Sequence, residues 1–203
     1  SNNVDILVIG AGASSAAAVS NLSSLGVNIL CLEQGDWMNT NEYPSNFKNW
    51  QTIRDQQFNQ SPNIRKRETD YPINEEDSEI EVANFNGGGG GTILYSGHFP
   101  RMKPSDFCVK SLDGVGEDWP ISYNTLEPYF AQNDINMGVS GLKGDPAIPV
   151  HELPLPPIAM GRMGEVIGLG FNKLGWHWWP SDTAIISEDY DGRAKCINLS
   201  PCN

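Results

Sequence analysis

The chain has 203 residues, 25 of them acidic and 13 basic, and its formal net charge at pH 7 is -12. This negative charge argues against a nucleic-acid or anionic-membrane partner. No apolar run is long enough to span a membrane and no signal peptide is visible, which leaves the compartment, periplasm or cytoplasm, open. The length is sufficient for one large domain or two small ones.

The first 35 residues predict a strand, a glycine turn, a helix and a second strand. An apolar, β-branched run ends at Gly10, and apolar residues then recur at helical spacing until Gly26. A second apolar run covers residues 27–32. We expect both strands to be buried, with Cys31 as a small hydrophobic residue in the second.

The glycine turn has the pattern of a dinucleotide-binding site. Gly10 permits a tight turn, Gly12 lets a pyrophosphate approach the backbone, and the helix N-terminus attracts its charge. Glu33, after the second strand, is placed to accept hydrogen bonds from ribose hydroxyls. The alternative is an ordinary βα turn with an incidental acid. The predicted cofactor-binding residues here are Gly10, Gly12, Ala13, Ser14, Glu33 and Ser15, which replaces the third glycine of G-x-G-x-x-G.

Residues 36–83 follow no persistent period and predict a loop-rich insertion with one short helix around residues 47–58. The basic cluster at residues 65–67 precedes an acidic run at residues 75–79. A solvated face is favoured for this cluster over a phosphate contact.

Five consecutive glycines, residues 87–91, interrupt the chain before Thr92. Because such a run has a high entropic cost, it needs a structural reason. A backbone that lies against a flat ring or a phosphate-bearing part of a cofactor would supply one, and a flexible linker is the alternative. We expect the apolar residues 92–95 to start a buried helix.

Three blocks make a family resemblance specific: Gly89-Gly90-Gly91-Thr92, RMKPSDF at residues 101–107 and DWPISYNTLEPYF at residues 118–130. Together with the opening unit, they resemble the glucose–methanol–choline (GMC) oxidoreductase family. Within that family the chain is most similar to the branch of gluconate, sorbitol and FAD-dependent glucose dehydrogenases. The resemblance covers residues 4–141.

The resemblance implies an α/β fold with a Rossmann-like FAD-binding domain at residues 1–145 and the start of an α+β substrate-binding domain at residues 146–203. It implies hydride transfer to FAD from a CH–OH group of a sugar, a polyol or another alcohol. An electron-acceptor subunit or a cytochrome is the implied partner. The residues matched to the flavin side of the site are Gly89, Gly90, Gly91, Thr92 and Tyr95.

No catalytic residue is assigned, because the family's catalytic histidine lies near the end of the full-length protein and nothing here matches it. We therefore expect the N-terminal part of a longer enzyme, inactive alone. His98 is interpreted as a structural residue. Two rival hypotheses are an NAD-dependent dehydrogenase and a non-catalytic, flavoprotein-like binding protein such as the Rab GDP-dissociation inhibitors.

The second half of the chain predicts two helices. One begins after Ser122 as N-cap and is expected to kink at Pro128, with Trp119, Tyr123, Leu126 and Tyr129 as core residues. The other covers residues 160–174, ends at Gly175 and uses Met160 and Met163 as core filler.

Two further features near the C-terminus allow more than one interpretation. The cluster at residues 176–180, WHWWP, is interpreted either as the wall of a sugar site or as simple packing. The resemblance suggests an iron–sulfur cluster at Cys196 and Cys202, but two thiolates alone do not hold one, so free thiols or a disulfide are the favoured alternatives.

Overall fold

The computed structural model describes residues 3–198, which fold into two compact units, residues 3–96 and residues 97–198. The described chain mixes helices and strands and is compatible with the predicted α/β class. Within it, no helix has the length and apolarity needed to cross a bilayer.

The first unit opens with the predicted strand–helix–strand order: β1 (Ile6–Ile9), α1 (Ala13–Leu22) and β2 (Ile29–Leu32). The two strands are parallel, and Ile6 lies opposite Ile29. After α1 the chain makes a 3₁₀ turn and reverses at Gly26, whose φ of 70° lies in the left-handed region that glycine adopts without strain.

The prediction that both strands are buried is wrong for the described chain. Leu7 is 54% exposed and Ile9 is 81% exposed, and Cys31 in β2 is exposed as well. The physical reason is the extent of the sheet, which has only these two strands among residues 3–198. In a two-stranded sheet each strand has a neighbouring strand along one edge only. Most of the side-chain surface of both strands therefore stays accessible to solvent.

The insertion contains the predicted short helix, α2 (Trp50–Gln56), and a further one-turn helix, α3 (Pro62–Arg65). Met38 and Phe58 of the insertion form a buried core with Phe85, which follows the insertion in the chain. The ring centroids of the two phenylalanines lie 6.4 Å apart in a stacked arrangement. The loop-rich insertion thus shares a small apolar core with the segment that leads into the glycine run.

The interpretation of residues 65–67 as a solvated face is wrong for Arg65. Its side chain is fully buried, and its Nε donates to Asp70 Oδ2 at 3.0 Å. Its Nη1 donates to the carbonyl oxygens of Asn59 and Asn84 at 2.7 and 3.0 Å, and its guanidinium carbon lies 4.7 Å from the centre of the Phe85 ring. Charge spacing along the chain does not reveal that a cation packs on an aromatic core.

The glycine run leads into a 3₁₀ turn, Gly90–Ile93, rather than the buried helix that was expected. Gly89 and Gly90 have φ values of 99° and 56°. These left-handed conformations lie outside the right-handed α region, so an α-helix cannot include these two glycines.

The second unit contains α4 (Val109–Asp113), α5 (Tyr123–Met137) and α6 (Gly161–Leu174). Ser122 is the N-cap of α5, as predicted, although its Oγ pairs with Thr125 Oγ1 instead of a backbone N–H. The helix is continuous through Pro128, and the predicted kink at this residue stays a prediction. Gly175 ends α6 as predicted.

Several residues assigned to the core of this unit are exposed. Tyr123 is buried, but Trp119 and Tyr129 are 56% and 70% exposed. Met160 and Met163 are 42% and 79% exposed, so the prediction of methionine core filler is wrong here. Helical periodicity predicts which face of a helix is apolar, but it does not predict whether another element covers that face.

The centre of the second unit is a crossing of loop segments rather than a helix interface. Ser140 and Thr183 exchange two backbone hydrogen bonds, of 2.8 and 2.9 Å, and Leu155 N–H donates to the Val139 carbonyl at 3.3 Å. Val139 is fully buried. Nearby, Arg101 Nε donates to the buried Asp134 carboxylate at 2.9 Å, which ties the first segment of the unit to α5.

Candidate functional site

The glycine turn after β1 leaves open space in front of its backbone. Gly10 has a φ of 93°, and its N–H donates to the Leu32 carbonyl at 2.7 Å, which joins the ends of the two strands. A Cβ added at Gly10 or Gly12 would meet no atom within 4 Å. The turn therefore presents bare backbone to open space, and the binding of a cofactor at these two glycines stays a prediction.

The N-terminus of α1 faces the same turn. No side chain caps this helix and no acid lies in its first turn. The first intrahelical donor is the Ala16 N–H, which donates to the Gly12 carbonyl at 3.0 Å. The N–H groups of Ala13, Ser14 and Ser15 therefore have no acceptor within the helix, and together with the helix dipole they form an anion-binding arrangement.

Glu33 closes the other side of the turn. Its Oε2 accepts from the Ala11 N–H at 2.6 Å, and its Oε1 accepts from the Gly35 N–H at 2.9 Å. These backbone hydrogen bonds lower the pKa of the Glu33 carboxyl below its usual range. The ionised group has lone pairs left on both oxygens, so it can still accept from ligand hydroxyls.

The lowered pKa predicts how the stabilising effect of Glu33 depends on pH. A carboxyl whose pKa is lower in the folded state stabilises the fold above its unfolded pKa, about 4.3, and loses that effect as the pH falls through the folded value. We expect Glu33→Gln to reduce the free energy of unfolding at neutral pH, and the difference to shrink below about pH 4. Urea unfolding of both proteins across this pH range measures the effect. A difference that stays constant down to the lowest pH would contradict it.

The glycine run lies directly against the glycine turn. The Gly89 N–H donates to the Ala11 carbonyl at 2.8 Å, and Gly12 and Gly89 form a parallel bridge. A Cβ at Gly90 would lie 3.4 Å from the Gly12 Cα. Two segments predicted independently as cofactor-binding, almost 80 positions apart in the sequence, are thus brought together on one surface of the first unit.

The segment after Glu33, which the sequence analysis matched to the family as part of the opening unit without a structural role, holds the glycine run in place. The Gly88 N–H donates to the Asp36 carbonyl at 3.1 Å. The Trp37 ring lies 2.7 Å from the position of a Cβ at Gly88. The available signal was the sequence EQGDW itself, in which a glycine and an aromatic residue follow the acid.

Gly35 is the position at which the segment after Glu33 packs most tightly against the start of the glycine run. Its replacement therefore tests this packing. A Cβ there would lie 2.2 Å from the Asn86 carbonyl carbon and 2.4 Å from its oxygen, both backbone atoms. We expect Gly35→Ala to lower the free energy of unfolding by about 1–3 kcal/mol because the backbone must shift. Gly91→Ala is the matched control: its Cβ would meet nothing within 4 Å, so we expect a change within about 0.5 kcal/mol. Equal stability of the two variants in urea unfolding would contradict the predicted contact.

The remaining predicted flavin-side residues continue the same surface. The Thr92 Oγ1 donates to the Gly89 carbonyl at 2.6 Å, which stabilises the 3₁₀ turn. Gly91 faces open space, and Tyr95 is 43% exposed. Whether these residues contact a flavin stays a prediction.

The other predicted sites belong to the second unit or lie outside the described chain. His98 is exposed and its Nδ1 lies 3.1 Å from Ser181 Oγ, in keeping with a structural role. Cys196 Sγ lies 3.6 Å from Asn198 Oδ1, whereas Cys202 is outside the described residues. Among residues 3–198 no group of three or more metal-ligating side chains comes together. The iron–sulfur hypothesis gains no support and stays a prediction.

Comparison with known proteins shows homology along nearly the whole chain, although no family model matches it. The chain is 38% identical over 200 residues to 2-methyl-1,2-propanediol dehydrogenase of Mycolicibacterium austroafricanum, covering 97% of this chain and 36% of that protein. It is 26% identical to the fructose dehydrogenase large subunit of Gluconobacter japonicus, over 98% of this chain and 40% of the relative. It is 29% identical to the gluconate 2-dehydrogenase flavoprotein of Pantoea cypripedii, over 98% of this chain and 38% of that protein.

The class of protein follows from these names: the chain is a homologue of oxidoreductases that act on alcohols and sugars. The relatives also confirm the family resemblance found in the sequence motifs: the chain is a homologue of GMC-type oxidoreductases. It spans 36% of the length of the first of these relatives.

Proposed function

We propose that the glycine turn and the glycine run together bind FAD, and that the protein oxidises a CH–OH group of a sugar, a polyol or another alcohol. The observation that carries the proposal is the contact between the two glycine segments. The Gly89 N–H donates to the Ala11 carbonyl at 2.8 Å, and the space in front of Gly10 and Gly12 beside it is open. A flexible linker would have no reason to make that contact.

The residues present fit the cofactor on several counts. The N–H groups of Ala13, Ser14 and Ser15 suit the pyrophosphate, and the Glu33 carboxylate suits the ribose hydroxyls. The bare backbone at residues 89–91 suits a flat ring. FAD supplies the redox chemistry when bound, as a hydride acceptor, while the protein binds, orients and tunes it. The flavoprotein among the relatives supports this choice.

The substrate class rests on the relatives, whose names include a propanediol, fructose and gluconate. All three of these compounds contain a carbon that bears a hydroxyl group. No residue of this chain is proposed to take the hydroxyl proton, and the part of these residues in the reaction is to bind and orient the cofactor.

Domain limits and partners are also proposals. We keep a FAD-binding domain at residues 1–145 and a substrate-binding domain from residue 146, while the compact units of the structure divide after Ser96. A relative called a large subunit implies a smaller one, which supports an electron-acceptor subunit as the partner.

The proposal is tested by the visible absorption spectrum of the purified full-length protein that the gene encodes. We expect flavin bands, and we expect one member of a panel of sugars, polyols and diols to bleach them under anaerobic conditions. A protein that stays colourless after FAD is added would overturn the proposal. Reduction of NAD by the same panel would favour the nicotinamide-dependent rival, and neither cofactor binding would favour the binding-protein rival.

A further inference from the structure

An exposed tryptophan, Trp37, lies in the first unit next to the glycine run. The residue is 86% exposed, although the chain on both sides of it is held in place. Before it, the Asp36 carbonyl accepts a hydrogen bond from the Gly88 N–H at 3.1 Å. After it, Met38 is buried in the apolar core that includes Phe85. The indole is therefore carried by an anchored backbone.

The indole packs on the backbone of the glycine run. Trp37 Cε3 and Cζ3 lie 2.7 and 3.0 Å from the position of a Cβ at Gly88. Because Gly88 has no side chain, the six-membered ring can approach the backbone this closely. Tryptophan is highly buried on average in folded proteins, so an indole that is fixed on one side and open on the rest offers apolar surface to a ligand.

The same part of the glycine run lies beside the Glu33 carboxylate. Glu33 Oε1 accepts from the Gly35 N–H at 2.9 Å, and a Cβ at Gly35 would lie 2.3 Å from the Gly87 nitrogen. Gly87 and Gly88 are consecutive residues, whose Cα atoms are about 3.8 Å apart. The carboxylate and the Trp37 indole therefore lie along neighbouring residues of one backbone segment.

The chemistry of an adenosine group matches this pair. The Glu33 carboxylate suits the ribose hydroxyls, and the ribose carbon next to the 2′-hydroxyl carries the adenine base. A base joined to a ribose at Glu33 is thus within reach of the indole. Adenine is flat and aromatic, and bases stack favourably on the rings of aromatic side chains.

The tryptophans of the second unit provide a contrast to Trp37. The Trp176 ring packs on Phe171 with centroids 5.9 Å apart, and the Trp178 ring packs against α6. Simple packing therefore describes these two members of the aromatic cluster. Trp179 is separate from them and lines a cavity of the second unit, and its interpretation as the wall of a sugar site stays a prediction.

We propose that Trp37 is the residue on which the adenine base of the cofactor stacks. This inference rests on the proposed FAD site and adds to it a side chain outside the glycine turn, the glycine run and Glu33. Trp37 binds the base and takes no part in the redox step. The stack makes the affinity of the site depend on an aromatic ring at position 37, in addition to the backbone N–H groups that suit the pyrophosphate.

Calorimetric titration of the full-length apoprotein with ADP tests the proposal, because ADP contains the base, ribose and pyrophosphate of FAD but no flavin. We expect Trp37→Leu to weaken ADP binding at least about tenfold, since leucine keeps an apolar contact with Gly88 but has no aromatic face. Trp37→Phe keeps an aromatic face and should stay within about threefold of the wild type. Trp176→Leu, the same change at an exposed indole of the second unit, should stay within about twofold.

The outcomes separate this inference from the proposed function. If the wild type binds FAD and ADP and Trp37→Leu binds ADP equally well, the stacking role is wrong and the FAD site stands. Equal losses in Trp37→Phe and Trp37→Leu would make Trp37 a packing residue and would also overturn the inference. A wild type that binds neither FAD nor ADP would overturn the proposed function and this inference together. Thermal unfolding without ligand should be alike in all variants, because the replaced indoles are exposed.

Discussion

Replacement of Asp70 by alanine is expected to lower the free energy of unfolding by about 3–5 kcal/mol. Asp70 is 3% exposed and is the carboxylate partner of the fully buried Arg65. Burial works against the charged form of Asp70, but the hydrogen bond from Arg65 and the charges of Arg65 and Arg67 outweigh it and lower the pKa of the carboxyl. Without the carboxylate, the guanidinium is left as a buried charge that has lost its counter-ion.

The effect should extend beyond the pair, because Arg65 ties the insertion together. The guanidinium donates to the carbonyl of Asn84, shortly before the glycine run, and lies against the Phe85 ring. We therefore expect Asp70→Ala to loosen residues 84–91 and to reduce flavin content as well as stability. Urea unfolding and the flavin-to-protein absorbance ratio measure the two effects.

The matched control is another arginine–aspartate pair of the same unit. Arg54 and Asp55 are 56% and 63% exposed, with Arg54 Nη2 lying 3.1 Å from Asp55 Oδ1. A pair in water contributes about 0–1 kcal/mol, so Asp55→Ala should change little. The double change Arg65→Met with Asp70→Leu should recover much of the loss, since it removes both charges together. Similar losses for Asp70→Ala and Asp55→Ala would contradict the assignment of Asp70 as a buried anchor.

Gly12→Val is expected to abolish most flavin binding while leaving the fold intact. Gly12 has an extended backbone, with a φ of -85°, and open space around its Cβ position, so valine fits the protein itself. Its methyl groups would occupy the space proposed for the pyrophosphate and shield the N–H groups of α1. Lost hydrogen bonds to a charged group contribute about 1.5–3 kcal/mol, which corresponds to binding weaker by roughly tenfold to a hundredfold.

Fluorescence titration of the apoprotein with FAD measures this loss, and thermal unfolding of the apoprotein checks the fold. Gly170→Val is the control, because Gly170 also has open space around its Cβ position but lies in α6 of the other unit. It should bind FAD as the wild type does. Unchanged affinity in Gly12→Val would place the cofactor elsewhere.

Local signals in the sequence were sufficient for most of the proposed cofactor surface. The βαβ order, the turn at Gly10 and the position of Glu33 after β2 depend on residues within one short stretch, where periodicity, glycine and strand ends act directly on the backbone. The chain reversal at Gly26 and the end of α6 at Gly175 were predictable for the same reason. The family motifs then extended the prediction to residues 89–92.

Contacts between distant segments were not predictable in this way. The burial of Arg65, the fit of Gly35 against Asn86 and the separation of Trp179 from its neighbours each depend on which segments meet in space. The exposure of Ile9 and Met163 has the same origin, since an apolar pattern is buried only where another element covers it.

The sequence by itself therefore determined the kind of backbone at the proposed cofactor surface and the family resemblance, because these follow from residue types at short spacing. Only the tertiary structure decided that Gly89 reaches Ala11 and that Arg65 is an internal anchor. The physical reason is that hydrogen bonds, ion pairs and cavities between segments far apart in the chain depend on where the folded chain brings those segments together.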